Sequence, residues 1–133
     1  MDVMPAAHAA ALWAGLSLGL LLVLAIGVTR GRRRHQVLFG DGGVPELARA
    51  IRAFGNAAEY IPAGLVGLAI LALAGATPLI VHVSGALLFA GRSAHAVGLT
   101  RSSGATRARA LGVLATWIAF IVIAVALLFY AIP

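Results

Sequence analysis

Apolar residues fall into four long tracts separated by short polar connections. The first tract runs from about Ala6 to Thr29, long enough to cross the roughly 30 Å core of a bilayer as a helix. A linker follows from Arg30 to Val44, opening on an arginine run and closing on the turn sequence Gly40-Asp41-Gly42-Gly43. Pro45 suits a first helical position and Glu46 suits a first turn, so the second helix is expected over 45–74. Pro62 lies inside it and has no N–H for the carbonyl of Ala58, which predicts a kink just after Glu59. Gly75-Ala76-Thr77-Pro78 reads as a turn into a third helix over 78–99. Thr106 is a candidate cap for a fourth helix over 107–132, with Tyr130 at an interfacial position near its end.

Composition turns these tracts into a fold class. The chain has 133 residues, 62% of them apolar and 11% charged, and a mean hydropathy of +1.02. One soluble domain of this size could not hide so much apolar surface. The reading is all-α: an integral membrane four-helix antiparallel bundle occupying the chain as a single domain, 1–133. The first tract is not expected to be a cleaved secretory signal, because Asp2 precedes it and Arg30, Arg32, Arg33 and Arg34 follow it. Gly15 and Gly19 form a small-xxx-small pair that allows close helix approach, and Trp13 and Trp117 are read as packing residues.

Charge orients the bundle. The formal net charge of +6 comes from ten arginines and no lysine. They lie in or beside the first and third connections and are absent from the second connection and from both termini. The positive-inside rule then puts the arginine-rich connections in the cytoplasm and both termini outside it. Because the arginines sit beside apolar tracts, they point to a lipid bilayer as partner and to no nucleic acid. Cysteine is absent, so any thiol chemistry needs a thiol brought by a ligand, and no acids or histidines stand at a metal-ligand spacing.

The candidate chemistry concentrates on one face of the second helix. Arg49, Arg52, Asn56, Glu59 and Tyr60 fall within an arc of roughly 100°. A carboxylate so far inside an apolar segment is costly unless paired. Arg52, Asn56 and Glu59 stand at i, i+4 and i+7, and two readings fit them. One is a structural polar network locking the helices. The other is a pocket for a small zwitterion, with arginine on its carboxylate and Glu59 on its ammonium. On the third helix Arg92, His95 and Leu99 share a face, and His95 is either a satisfied buried histidine or a ligand donor. His82, at the opposite end, is read as structural. Arg107 and Arg109 open the fourth helix, either as membrane anchors or, for one of them, as a cation aimed at a thiolate or phosphate.

The run Arg49-x-x-Arg52-Ala53-x-x-Asn56-x-x-Glu59-Tyr60-x-Pro62 resembles the second-helix signature of the MAPEG family, the membrane-associated proteins in eicosanoid and glutathione metabolism. Arg92-Ser93-Ala94-His95-Ala96-Val97-Gly98-Leu99 and Gly40-Asp41-Gly42-Gly43 are similar to segments of its small bacterial branch. The resemblance implies a homotrimer in the bacterial inner membrane, with glutathione as substrate or cofactor held between subunits near the cytoplasmic side. Carried over by position, it implies glutathione contacts from Arg30, Arg52, Asn56, Glu59, Tyr60 and Arg92. It also implies thiol activation by an arginine at the start of the fourth helix, with Arg107 nearest in position and Arg109 next. The implied function is a glutathione-dependent transferase or peroxidase-like activity on apolar electrophiles. The alternative is a non-catalytic membrane protein whose polar network is structural or binds an anionic lipid. Where the eicosanoid synthases carry two tyrosines on the third helix, this chain has His95, which still offers a hydrogen bond, and Leu99, which does not.

Overall fold

The computed structural model describes residues 4–132, so Asp2 lies outside the described residues. Four helices follow one another: α1 (Met4–His35), α2 (Pro45–Leu73), α3 (Pro78–Arg101) and α4 (Arg107–Tyr130). Among the described residues there is no strand. The fold is the all-α membrane bundle expected from the apolar tracts.

The ends of α2, α3 and α4 fall within two residues of expectation, and the end of α1 lies six residues further on. The arginine run does not open the first linker; α1 continues through it to His35. Arginine is a good helix former, and Arg32, Arg33 and Arg34 in the last turn complement the negative end of the helix dipole. The helix ends where Gln36 turns left-handed at φ 55°. There the N–H of Val37 donates to the carbonyl of Arg32 at 3.0 Å and that of Gln36 to the carbonyl of Arg33 at 3.4 Å. The connection is pinned rather than slack. Arg32 Nη1 donates to the carbonyl of Gly40 at 2.7 Å, and Asp41 accepts from the N–H of Gly43 at 2.9 Å.

α2 starts at Pro45 with Glu46 in its first turn and runs past Pro62 to Leu73 as one continuous helix. Gly75, at φ 78°, ends it in the same kind of double cap. α4 is capped as expected, with Thr106 Oγ1 accepting from the N–H of Arg109 at 3.2 Å.

α2 and α3 are central: each lies against the other three helices, whereas α1 and α4 have no close backbone approach to one another. This explains a compositional oddity. α1, α2 and α4 are long and apolar enough to cross a membrane; α3 has the length but carries His82, Arg92 and His95. Arg92 and His95 are buried in the bundle, where lipid does not meet them. Where α3 meets α4 the contact is made through glycine, because a Cβ on Gly112 would stand 2.6 Å from the carbonyl oxygen of Gly91. An apolar core of Ala6, Ala9, Leu68, Leu71, Ala72, Ala76, Val81 and Ile123 fills the end of the bundle that carries the α2–α3 turn.

Two of the expected packing features find no partner within the subunit. A Cβ on Gly15 or Gly19 would meet nothing within 4 Å, so that pair brings no helix close within the subunit. Trp117 is 55% exposed on the outer face of α4. Trp13 does pack: it lies against Gly85 and donates from Nε1 to His82 Nδ1 at 3.2 Å.

Candidate functional site

The polar residues of α2 and α3 form one connected chain. Arg52 Nη1 meets Glu59 Oε1 at 3.0 Å on the surface of α2. Glu59 Oε2 accepts from Asn56 Nδ2 at 3.4 Å. Asn56, at 8% exposure, turns its oxygen inward to accept from Arg92 Nη1 at 2.5 Å. Arg92, at 2% exposure, then crosses to α4, where Nε donates to Thr116 Oγ1 at 2.8 Å and Nη2 to the carbonyl of Gly112 at 3.3 Å. Thr116 Oγ1 in turn donates a hydrogen bond to the same carbonyl at 2.8 Å. Tyr60 closes the arrangement, its ring centroid 4.6 Å from the Arg92 guanidinium carbon and its edge tilted toward Phe120.

The local fold explains why the chain of contacts can form. Residues 52, 56 and 59 are stacked on one face of α2 and rise about 6–11 Å along its axis. The carbonyl of Gly112 is reachable because the glycine pair lets α3 and α4 approach closely. Insertion scales put an arginine at a membrane-helix centre at about 2.5–3.5 kcal/mol. Three buried hydrogen bonds at about 0.6 kcal/mol each and a cation–π contact of roughly 1–2 kcal/mol offset that cost without exceeding it by much. Arg92 is therefore tolerated rather than strongly stabilising, and its evident effect is to fix the orientation of Asn56.

A second group lies beside this chain at the same end of the bundle. His95 is buried and its Nδ1 stands 3.1 Å from the carbonyl of Arg109. Arg109 Nη1 donates to the carbonyls of Ser103 at 3.3 Å and Gly104 at 2.5 Å, holding the α3–α4 connection over the site. Its side chain lines two cavities. One, of about 520 Å³, includes His95, Thr106 and Val113. The other, of about 350 Å³, is lined by Arg49, Arg52, Leu99, Ser102 and Ser103 and contains no acidic residue. An anion entering that second cavity meets three guanidinium groups.

The structure thus brings Arg52, Asn56, Glu59, Tyr60, Arg92, His95 and Arg109 to one end of the bundle, the first six of these being sequence candidates for ligand contact. It separates the other two candidates from them within a subunit. Arg107 is exposed and lines neither cavity. Arg30 lies in a different cleft, between α1 and α2, with Arg34, His35 and Glu46. Sequence reasoning missed Thr116 and Gly112, because the partners of a buried arginine on a neighbouring helix leave no periodic signal. It noted Arg49 without assigning it a role, although its place one turn before Arg52 is the signal that puts both on one cavity wall.

The sequence pattern of the MAPEG family matches residues 10–129. The chain is also similar to inner membrane protein YecN of Escherichia coli K12 and of Escherichia coli O6:H1 strain CFT073. Each is 41% identical to it over 120 residues, covering 90% of both chains.

Proposed function

The chain belongs to the MAPEG family, and from that premise we propose that it binds glutathione at the Arg52–Glu59 face of α2 and presents its thiol to apolar electrophiles dissolved in the bilayer. The activity is that of a transferase, or of a peroxidase-like enzyme when the electrophile is a hydroperoxide. The observation that carries this reading is the pairing of an acid-free, three-arginine cavity with a single exposed carboxylate, Glu59, held between Arg52 and Asn56. Glutathione has two carboxylates and one ammonium, and that cation excess beside one acid matches it. Asn56 and Tyr60 orient the ligand from α2. Arg92 acts through Asn56, since its own donors already go to Asn56, Thr116 and Gly112. His95 supplies a hydrogen bond from α3.

The chemistry asked of the protein is electrostatic. A free thiol has a pKa of about 8.5, so little is thiolate at neutral pH. A guanidinium held against the sulfur favours the thiolate, whose proton passes to solvent, and the thiolate attacks the electrophile and expels its leaving group. Arg109 is the arginine for this role. Arg30 joins the site only from a neighbouring subunit, which accords with a homotrimer whose ligand lies between copies. The inner-membrane location of the YecN relatives and the arginine distribution support an inner membrane protein with both termini outside the cytoplasm.

A second reading is favoured by one specific observation: the polar chain from Arg52 to Thr116 is already satisfied internally. On that reading the network is structural and the protein is not an enzyme. Calorimetric titration of detergent-purified protein with glutathione separates the two. Heat and thermal stabilisation are expected from the wild type at millimolar ligand, and Glu59→Gln is expected to weaken binding while the oligomer survives on sizing. No heat from the wild type, with disassembly of Glu59→Gln, would leave the structural reading standing alone.

A further inference from the structure

A second polar site lies outside the chain of residues described above, in the cleft between the arginine-rich end of α1 and the start of α2. It has a volume of about 240 Å³ and is lined by Gly27, Arg30, Gly31, Arg34 and His35 of α1 and by Glu46, Leu47 and Ala50 of α2. The two helices approach closely at its centre, where a Cβ on Gly31 would stand 3.1 Å from Leu47 Cδ1. At Gly27 there is open space, since a Cβ there would meet nothing within 4 Å. Gly27 and Arg34 are separated by about 10 Å along the helix. The cleft therefore runs from Gly27, in the apolar tract of α1, to a cationic end at Arg34 and His35.

The cationic end is underused by the protein itself. Glu46 is the one acid on its wall and approaches both Arg34, at 3.7 Å, and His35 Nε2, at 3.8 Å. Both distances exceed the 2.7–2.9 Å typical of a charge-assisted hydrogen bond. His35 Nε2 is buried and has no hydrogen-bond partner. Arg34 and an unsatisfied ring nitrogen thus share a single carboxylate that bonds neither of them well, with Arg30 on the same wall, which leaves room for oxygens of another group. The connection just beyond adds a membrane signal: Leu38 and Phe39 are 99% and 94% exposed, although the loop carrying them is tied by Arg32 to Gly40 and by the Asp41 turn. Large apolar side chains held outward beside an arginine run have the composition of an interfacial anchor.

We propose that this cleft binds the phosphate of an anionic phospholipid, with the head group between Arg34 and His35 and the glycerol end at Gly27. Phosphate oxygens accept from the Arg34 guanidinium and from His35 when Nε2 carries the proton, and Glu46 is the competing anion. Arg30 lines this cleft and, in the reading above, also reaches glutathione in a neighbouring subunit, so it is left unchanged in the test, which is run without thiol.

The test is native mass spectrometry of the purified full chain in mild detergent without thiol, with phosphatidylglycerol, phosphatidylcholine or inorganic phosphate added in turn. Phosphatidylglycerol is expected to remain bound where phosphatidylcholine is lost. Arg34→Gln is expected to weaken its retention about fivefold, the scale of one surface arginine against an anionic lipid. Arg33→Gln, on an exposed arginine outside the cleft, is expected to leave retention unchanged, and Glu46→Gln to increase it. Gly27→Leu adds a good helix former where there is open space, so the fold should hold while the lipid is excluded; an unchanged unfolding midpoint checks that. Equal retention of both lipids, or equal losses from Arg33→Gln and Arg34→Gln, would overturn the proposal in favour of diffuse attraction. Protection by inorganic phosphate as strong as that by lipid would overturn the lipid assignment. So would a Gly27→Leu variant that changed the size of the assembly, because the cleft would then be a contact between copies.

Discussion

Arg92 and Arg109 carry the same charge and ask different things of the fold. Arg92 has a directed partner for each of its three nitrogens, two of them on α4. Thr116→Val keeps the shape and removes the acceptor of Nε, so it is expected to destabilise the bundle by about 0.5–2 kcal/mol. Thermal unfolding in detergent measures this, and glutathione affinity should change little, because Asn56 keeps its own bond to Arg92. Arg109 instead bonds only loop carbonyls with its side chain and fronts two cavities. If it activates a thiol, Arg109→Ala should lower kcat for glutathione transfer to an aryl halide by roughly 100-fold, the scale of losing one charge-stabilising donor. Binding should be partly retained. Arg107→Ala, on an exposed residue, should keep the wild-type rate. The reverse ranking, or full rates from both, would remove Arg109 from the chemistry. A role confined to holding the loop would lower the unfolding midpoint of Arg109→Ala and leave its rate intact.

At the scale of elements, the contact between α3 and α4 decides whether Arg92 can reach its partners at all. Gly91 and Gly112 face each other so closely that a Cβ on either meets backbone of the other helix, at 2.9 Å and 2.6 Å. Backbone cannot rotate aside, so Gly112→Ala is expected to force the helices apart and to cost about 1–3 kcal/mol. Gly15→Ala on the open face of α1 should be neutral or slightly stabilising, and comparing the two unfolding midpoints tests the contact. How much of this was legible in the sequence follows from the same physics. Helix starts at Pro45, Pro78 and Thr106 were readable because their signals are local. The end of α1 was misread because an arginine run looks like a linker by charge and like a helix by propensity, and propensity prevailed. The α2 half of the site was readable from its 3.6-residue spacing. The α4 half was not, since nothing in the order Gly112, Thr116 marks them as partners of a residue on α3. The choice between Arg107 and Arg109 likewise depended on the direction α4 takes after its cap.

For the molecule as a whole, the remaining question is which way the bundle faces, and charge favours one orientation through the bilayer rather than through contacts. The connections at one end carry or adjoin every arginine but the buried Arg92, whereas the α2–α3 turn at the other end, Ala74–Thr77, has none. Translocating the arginine-rich end would carry its guanidinium groups across the hydrocarbon core, so that end should stay in the cytoplasm. The absence of cysteine makes this directly measurable, because any introduced thiol is read without background. Thr77 is exposed and makes no side-chain cap, and Ser103 is exposed in the α3–α4 connection, so both accept cysteine at little cost. On intact cells a membrane-impermeant maleimide is expected to label Thr77→Cys and to spare Ser103→Cys; after membrane disruption both should react. The opposite pattern would invert the bundle and put the mouth of the Arg52–Glu59 site outside the cell, where cytoplasmic glutathione does not reach it. Topology is thus a test of function too: a thiol supplied from the cytoplasm requires that Ser103 and Arg52 share its compartment.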